Sequence, residues 1–157
     1  MTGSICGPVC GFPLFLHVLG ATVLVGAIAT VALLTWVSLR RPFEQAQLLR
    51  RLAFMTLLLV GWPSWLAMRI AGQWVLSLDM YSGIEAASPG WLSVGFIVGD
   101  LGALVLLIST ILAWFAYRRT RAEAPKPVTA PIFAGLTTLY LAALAVAWFA
   151  MSAKPGA

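Results

Sequence analysis

The stretch FPLFLHVLGATVLVGAIATVALLTWVSL, from Phe12 to Leu39, decides the fold class of this chain. Apart from the chain's single histidine, His17, it holds no ionisable side chain. An α-helix rises about 1.5 Å per residue, so about 20 such residues cross the roughly 30 Å hydrocarbon core of a bilayer. The sequence therefore predicts that this stretch is a transmembrane helix.

Three further stretches of the 157 residues meet the same requirement. The predicted spans cover approximately residues 12–39, 52–78, 91–117 and 131–151. Their apolar runs are continuous, whereas the strands of a membrane barrel alternate apolar and polar residues. Charged residues make up 10% of the chain, against about 25% in soluble domains. The prediction is an all-α bundle of four transmembrane helices, forming a single membrane domain over residues 1–157.

The distribution of charge predicts the orientation of the bundle. Most of the basic residues fall in the first and third connections, at Arg40, Arg41, Arg50, Arg51, Arg118, Arg119, Arg121 and Lys126. Short loops rich in lysine and arginine remain on the cytoplasmic side. We therefore expect a multi-pass protein of the inner (plasma) membrane with both termini on the outer side. The net charge of +5 then marks orientation and contact with anionic lipids, and no nucleic-acid partner is predicted.

A polar cluster is predicted within the outer half of the spans. Measured from the outer boundary, His17 lies roughly 5–10 Å deep, Arg69 roughly 10–14 Å and Asp100 roughly 12–15 Å. Gln73 shares a helical face with Arg69. Ionisable groups within membrane spans are rare and usually have partners. The simplest interpretation is an ion pair between Arg69 and Asp100, with His17 hydrogen-bonding the pair or facing the outer interface.

Two classes of function compete for this cluster. In the first, the chain is a non-catalytic accessory subunit whose helices pack against partner subunits, or against further copies of itself, within a larger membrane complex. In the second, it is a redox-linked protein that binds haem b or a metal through His17, with Met68 or Met55 as a second axial ligand and Arg69 on a haem propionate. A proton or ion pathway through His17 and Asp100 is a further alternative, although the inner half of the spans offers no polar path.

Catalysis is not predicted, and neither is a metal site with a complete set of ligands. No nucleophile–base arrangement, phosphate-binding loop or pair of carboxylates is visible in the sequence. The N-terminal arm contains Cys6-Gly-Pro-Val-Cys10, which the predicted topology places on the oxidising side. A disulfide between Cys6 and Cys10 is the favoured interpretation. A thiolate metal site and free thiols are the alternatives.

The first helix carries a resemblance to known membrane proteins. Leu16-His17-Val18-Leu19-Gly20 and the later stretch MRIAGQW, which begins at Met68, resemble a group of small, uncharacterised bacterial four-helix integral membrane proteins. More distantly, the first helix is similar to the copper-resistance D-type proteins and the HemJ-type protoporphyrinogen oxidases. In those families the corresponding histidine is associated with metal or haem. The resemblance therefore implies a bacterial membrane protein and a ligating role for His17.

Overall fold

A computed structural model describes residues 11–77, 90–121 and 129–153, and all of these residues are helical except for a short connection after residue 39. The α-helices are α1 (Gly11–Leu39), α2 (Phe43–Thr56), α3 (Trp62–Ser77), α4 (Gly90–Arg121) and α5 (Thr129–Ala153). A π-helical segment, Leu57–Gly61, joins α2 and α3 into one continuous helix. The predicted all-helical architecture is confirmed.

Four helical stretches are long and apolar enough to cross a membrane. They are Gly11–Leu39, Phe43–Ser77, Ser93–Arg118 and Thr129–Ala150. Their outward faces carry large apolar side chains, among them Leu33, Leu59, Ile70, Leu139 and Phe149. In water such a surface would drive aggregation, whereas acyl chains solvate it well. The chain is therefore consistent with a multi-pass membrane protein.

The helix that contains the second predicted span begins earlier than that span. The prediction places its start near residue 52, but the helix already begins at Phe43. Residues 43–56 carry enough charge to be interpreted as a loop, yet Ala46, Ala53 and Phe54 are buried on one face of α2. This amphipathic segment packs against α1 and α4, so the helix continues beyond the strictly apolar stretch.

Pro63 explains the π-helical segment. Proline has no N–H to give to the carbonyl four residues earlier, here that of Leu59, and its ring collides with that carbonyl in a regular α-helix. The backbone adjusts just before the proline, where the N–H of Trp62 bonds to the carbonyl of Leu57, five residues back. The sequence predicts a kink here, and the structure has a local change of helical register immediately before Pro63.

The core lies around α1, which contacts α2, α3 and α5. Leu24, Ile28 and Val31 on α1 belong to the same buried hydrophobic cluster as Leu57 and Met68. The backbones of α1 and α3 approach each other closely at Gly20. A Cβ atom built there would lie 2.8 Å from the backbone nitrogen of Met68. Only glycine permits this separation, so α1 and α3 are in direct backbone contact.

Candidate functional site

An ion pair joins α3 to α4. The Nη2 atom of Arg69 lies 2.6 Å from Oδ1 of Asp100. Arg69 is about 12 Å along the helix axis from Ser77, and Asp100 is about 10 Å from Ser93, where the third candidate span begins. The two charges therefore meet toward the C-terminal end of the Phe43–Ser77 helix and toward the N-terminal end of α4, and the structure contains the predicted pair.

Gln73 completes the contacts of the guanidinium. With its amide oriented so that the oxygen faces Arg69, this oxygen accepts hydrogen bonds from Nη1 at 2.7 Å and from Nη2 at 3.2 Å. The two residues are four apart on α3, so their side chains lie on the same face. The ring of Phe96 adds a cation–π contact, with its centroid 5.6 Å from Cζ of Arg69. We call Arg69, Gln73 and Asp100 the lateral cluster.

The lateral cluster is open on one side. The Asp100 side chain is 56% exposed and that of Arg69 is 26% exposed. Ionisable groups in membrane spans usually face the bundle interior or a wet cavity. An unpaired aspartate at mid-bilayer costs about 2.5–3.5 kcal/mol on the insertion scale. In a bilayer, the open side of the Asp100 carboxylate would face either acyl chains or another protein, and acyl chains offer it no hydrogen-bond donor.

Two tryptophans connect the same pair of helices. The indole N–H of Trp65 donates to the carbonyl of Gly99 at 2.9 Å, and that of Trp62 donates to the Thr110 hydroxyl at 3.0 Å. The Thr110 hydroxyl in turn donates a hydrogen bond to the carbonyl of Leu106, one turn earlier. Long side chains thus bridge α3 and α4, in contrast to the backbone contact between α3 and α1. These tryptophans fix the distance across which the lateral cluster forms.

His17 lies in a different contact from the ion pair. Its Nδ1 is 2.8 Å from the carbonyl oxygen of Met68. The ring rests on Gly72, where an added Cβ would meet Nδ1 at 3.0 Å. Consecutive residues on an α-helix point about 100° apart, so Met68 faces α1 while Arg69 faces α4. Within the described ranges, the structure records no hydrogen bond between His17 and the lateral cluster. The predicted four-residue cluster is therefore divided: His17 contacts the Met68 backbone, and the other three residues form the lateral cluster.

The hydrogen bond to Met68 fixes the tautomer of His17. A carbonyl oxygen can only accept, so Nδ1 carries the proton and donates it, and in the neutral ring Nε2 is left unprotonated. Histidines that bind metals commonly have this arrangement, with one nitrogen bonded to a carbonyl and the other free to ligate. The ring is therefore in a form that is chemically able to bind a metal ion.

The structure does not support Met68 as the second axial ligand of a haem. Its side chain is buried in the core, and its backbone is in contact with Gly20 of α1. A flat macrocycle placed between His17 and Met68 would have to separate these two helices. Arg69, the predicted propionate partner, is already bound by the carboxylate and the amide of the lateral cluster. Among the described residues, no group of three or more His, Cys, Asp or Glu side chains is placed to hold a metal ion.

The predicted disulfide site is not described by the structure. Cys6 and Cys10, the candidate disulfide, are outside the described residues. Two contributors to the α3–α4 contact, Phe96 and Thr110, are absent from the sequence-based prediction. Gly99 is part of a recognised small-residue spacing with Gly95, but nothing in the sequence indicates that its carbonyl accepts from an indole.

Comparisons with protein-family models, with curated proteins and with solved structures give no match for this chain. Its function is therefore inferred from the chemistry of its own residues.

Proposed function

We propose that this protein is a small, non-catalytic accessory subunit that associates laterally with a partner in the membrane through the lateral cluster. The exposure of Asp100 supports this proposal most directly. A carboxylate surrounded on its open side by acyl chains lacks hydrogen-bond donors there. A neighbouring membrane protein that offers a donor at this depth removes that cost, so association is favoured over exposure to lipid.

The surface around Asp100 suits a protein partner. Ile70 on α3 and Ile97, Leu101 and Leu104 on α4 are all exposed. Apolar side chains alone do not favour protein over lipid, because acyl chains are as apolar as leucine. Specific association in a bilayer depends on close packing and on polar contacts. The isoleucine and leucine side chains provide an area for close packing. The carboxylate among them favours a partner that can donate a hydrogen bond to it.

The proposal is tested by site-specific photo-crosslinking in the membranes of the source cell. A photoreactive amino acid replaces Leu101, beside the lateral cluster, and a matched variant carries it at Leu139 on α5, which is 68% exposed. We expect a discrete protein adduct from position 101 and none from position 139. Unmodified chain from both positions would contradict the proposal, because both side chains would then face only lipid.

We also propose that the protein lies in the plasma membrane of a bacterium with both termini outside. Arg40, Arg41 and Arg51 are exposed at the end where α1 and α2 connect, and Arg118 is exposed near the end of α4. These ends correspond to the cytoplasmic side under the positive-inside rule. The lateral cluster then belongs to the outer leaflet. An alkaline phosphatase fusion after residue 157 should be active, and an inactive fusion would contradict this orientation.

Binding of haem b or a metal by His17 is the second candidate function. The tautomer favours it, because Nδ1 donates to the Met68 carbonyl and leaves Nε2 as a possible ligand atom. The resemblance of the first helix to copper-resistance D-type and HemJ-type proteins points in the same direction. A haem held here would need an axial ligand other than Met68, or none.

A visible spectrum of the detergent-purified chain distinguishes this candidate from the first. The reduced-minus-oxidised difference spectrum is recorded for the natural chain and for His17→Ala. A haem band that disappears in the variant would establish a redox-linked protein. A featureless spectrum, together with metal content below one atom per chain, would contradict the second candidate.

A further inference from the structure

We propose that the groove between α2 and α4 binds the headgroup of an anionic phospholipid between the guanidinium groups of Arg51 and Arg118. We call this place the basic groove. It is separate from the lateral cluster, which lies on α3 and near the N-terminal end of α4. The proposal follows from the level of the two arginines, from the side of the helices on which they lie and from the surroundings of their charges.

Contacts along α4 show that the two arginines lie at the same level. The ring of Phe54 on α2 is stacked on that of Tyr117, with the centroids 6.2 Å apart, whereas the lateral cluster joins α3 to the opposite part of α4. The helix formed by α2 and α3 therefore runs antiparallel to α4. Arg51 precedes Phe54 by three residues, and Arg118 follows Tyr117 by one. Both arginines thus lie beyond the aromatic contact in the same direction, by about 4.5 Å and about 1.5 Å along their helices.

Both arginines also lie on the outward side of the groove. On α2, Arg50 bonds to Ser38 of α1, and Arg51 is the next residue, so its side chain points about 100° away from α1. On α4, Ala113 is buried in the core, and Arg118, five residues later, points about 140° away from it. Because the two helices are antiparallel, these rotations turn both side chains to the same side of the groove. Both side chains are exposed there.

The surroundings of the two guanidinium groups leave their charges available to an anion. The guanidinium of Arg118 lies over the indole of Trp114, with Cζ 4.8 Å from the ring centroid, and Trp114 packs against Phe54. This cation–π contact positions the charge without neutralising it. In the described part of the chain, no carboxylate pairs with Arg51 or Arg118. Arginine binds phosphate oxygens through paired hydrogen bonds, so two such groups at one level suit a phosphate.

Apolar side chains beside the basic groove favour a lipid as the source of this phosphate. Met55 lies one turn after Arg51 on α2, and Ile111 lies two turns before Arg118 on α4. They therefore lie on the same faces as the arginines, nearer the middle of the spans. Both side chains are exposed. The acyl chains of a bound phospholipid can pack along them, whereas a soluble anion has no group that would do so.

Native mass spectrometry of the full chain in a neutral detergent tests the basic groove. We expect Arg51→Gln combined with Arg118→Gln to weaken the binding of phosphatidylglycerol about tenfold or more, because charge-assisted hydrogen bonds to the phosphate are lost. Arg40→Gln combined with Arg41→Gln is the matched control. It removes the same charge from exposed residues at the same end of the bundle and should leave binding nearly unchanged. Equal weakening by the two double variants would overturn the proposal.

The same titration identifies the class of ligand. Phosphatidylcholine with the same acyl chains carries a phosphate but no net charge, so it should bind more weakly than phosphatidylglycerol. Equal binding of the two lipids would overturn the proposal. Inorganic phosphate at the concentration of the lipid should not displace phosphatidylglycerol. Displacement would assign the site to a soluble anion and would also overturn the proposal.

Photo-labelling in a bilayer gives the position of the lipid. Phosphatidylglycerol with a photoreactive group in its acyl chain is added in small amount to phosphatidylcholine vesicles that contain the full chain. We expect adducts mainly in the peptides that contain Met55 and Ile111, and few in α5. Adducts distributed evenly over all four spans would overturn the proposal, because the lipid would then be part of the general bilayer.

Discussion

Replacing Gly20 by alanine tests the contact that holds α3 against α1. The new Cβ would lie 2.8 Å from the Met68 nitrogen, 3.1 Å from its Cα and 3.1 Å from the carbonyl oxygen of Ser64. All three atoms belong to the backbone, so no side chain can rotate away, and α3 must move. Overpacking of this kind typically costs about 1–3 kcal/mol. We expect about 2 kcal/mol, which is roughly a 30-fold change in the unfolding equilibrium.

Gly26 on the same helix provides the matched control. A Cβ built at Gly26 has no neighbour within 4 Å, so Gly26→Ala should leave packing unchanged and gain a few tenths of a kcal/mol from helix propensity. Unfolding of both variants is followed by steric trapping in bicelles, which measures stability without harsh detergent. If Gly20→Ala and Gly26→Ala unfold with the same free energy, the backbone contact between α1 and α3 is not as described.

Further predictions concern the polar contacts, each measured by the same unfolding assay. Asp100→Leu should destabilise the chain by about 3 kcal/mol, because it leaves Arg69 without its carboxylate. The double variant Asp100→Leu, Arg69→Leu should recover most of that loss. If the effects of the two single substitutions are additive, the ion pair is contradicted. Trp62→Phe should destabilise the chain by about 0.6 kcal/mol, because it removes the hydrogen bond from the indole N–H to the Thr110 hydroxyl. If Trp62→Phe destabilises the Thr110→Val chain more than it destabilises the natural chain, that hydrogen bond is contradicted. Tyr140→Phe should be neutral or stabilise the chain by up to about 1 kcal/mol, since the buried Tyr140 hydroxyl has no hydrogen-bond partner among the described residues. Marked destabilisation by Tyr140→Phe would contradict this, because it would mean that the hydroxyl has a partner.

The number of spans could be predicted because it depends on local composition. An uninterrupted apolar stretch such as 12–39 has one favourable conformation in a bilayer, since a helix satisfies its own backbone. The start of the helix that contains the second span could not be predicted in the same way. Arg50 lies in a charged segment, yet it is buried in the structure, where its Nε donates to the Ser38 hydroxyl at 3.4 Å. Arg50 is buried because α1 lies beside α2. The sequence of α2 alone does not indicate which helix lies beside it.

The candidate site was predictable in its ion pair but not in its histidine. The pairing of Arg69 with Asp100 follows from the cost of isolated charges in hydrocarbon, which leaves few alternatives at matching depth. The predicted depth of His17 is similar, but depth does not specify which face of a helix meets which neighbour. His17 reaches α3 on the Met68 side because Gly20 and Gly72 allow close approach there. Rotational packing of this kind is a property of the assembled bundle.

The central claim is that protein, and not lipid, covers the open side of Asp100. It is tested most directly by spin labels at Leu101 and at Leu139 in the Cys6→Ser, Cys10→Ser chain, extracted with its native lipids and partners into polymer-bounded discs. Paramagnetic resonance then measures how often dissolved oxygen, which concentrates in acyl chains, collides with each label. We predict collisions at Leu101 severalfold less frequent than at Leu139. Equal collision rates at the two positions would contradict the claim, because the lateral cluster would then face lipid.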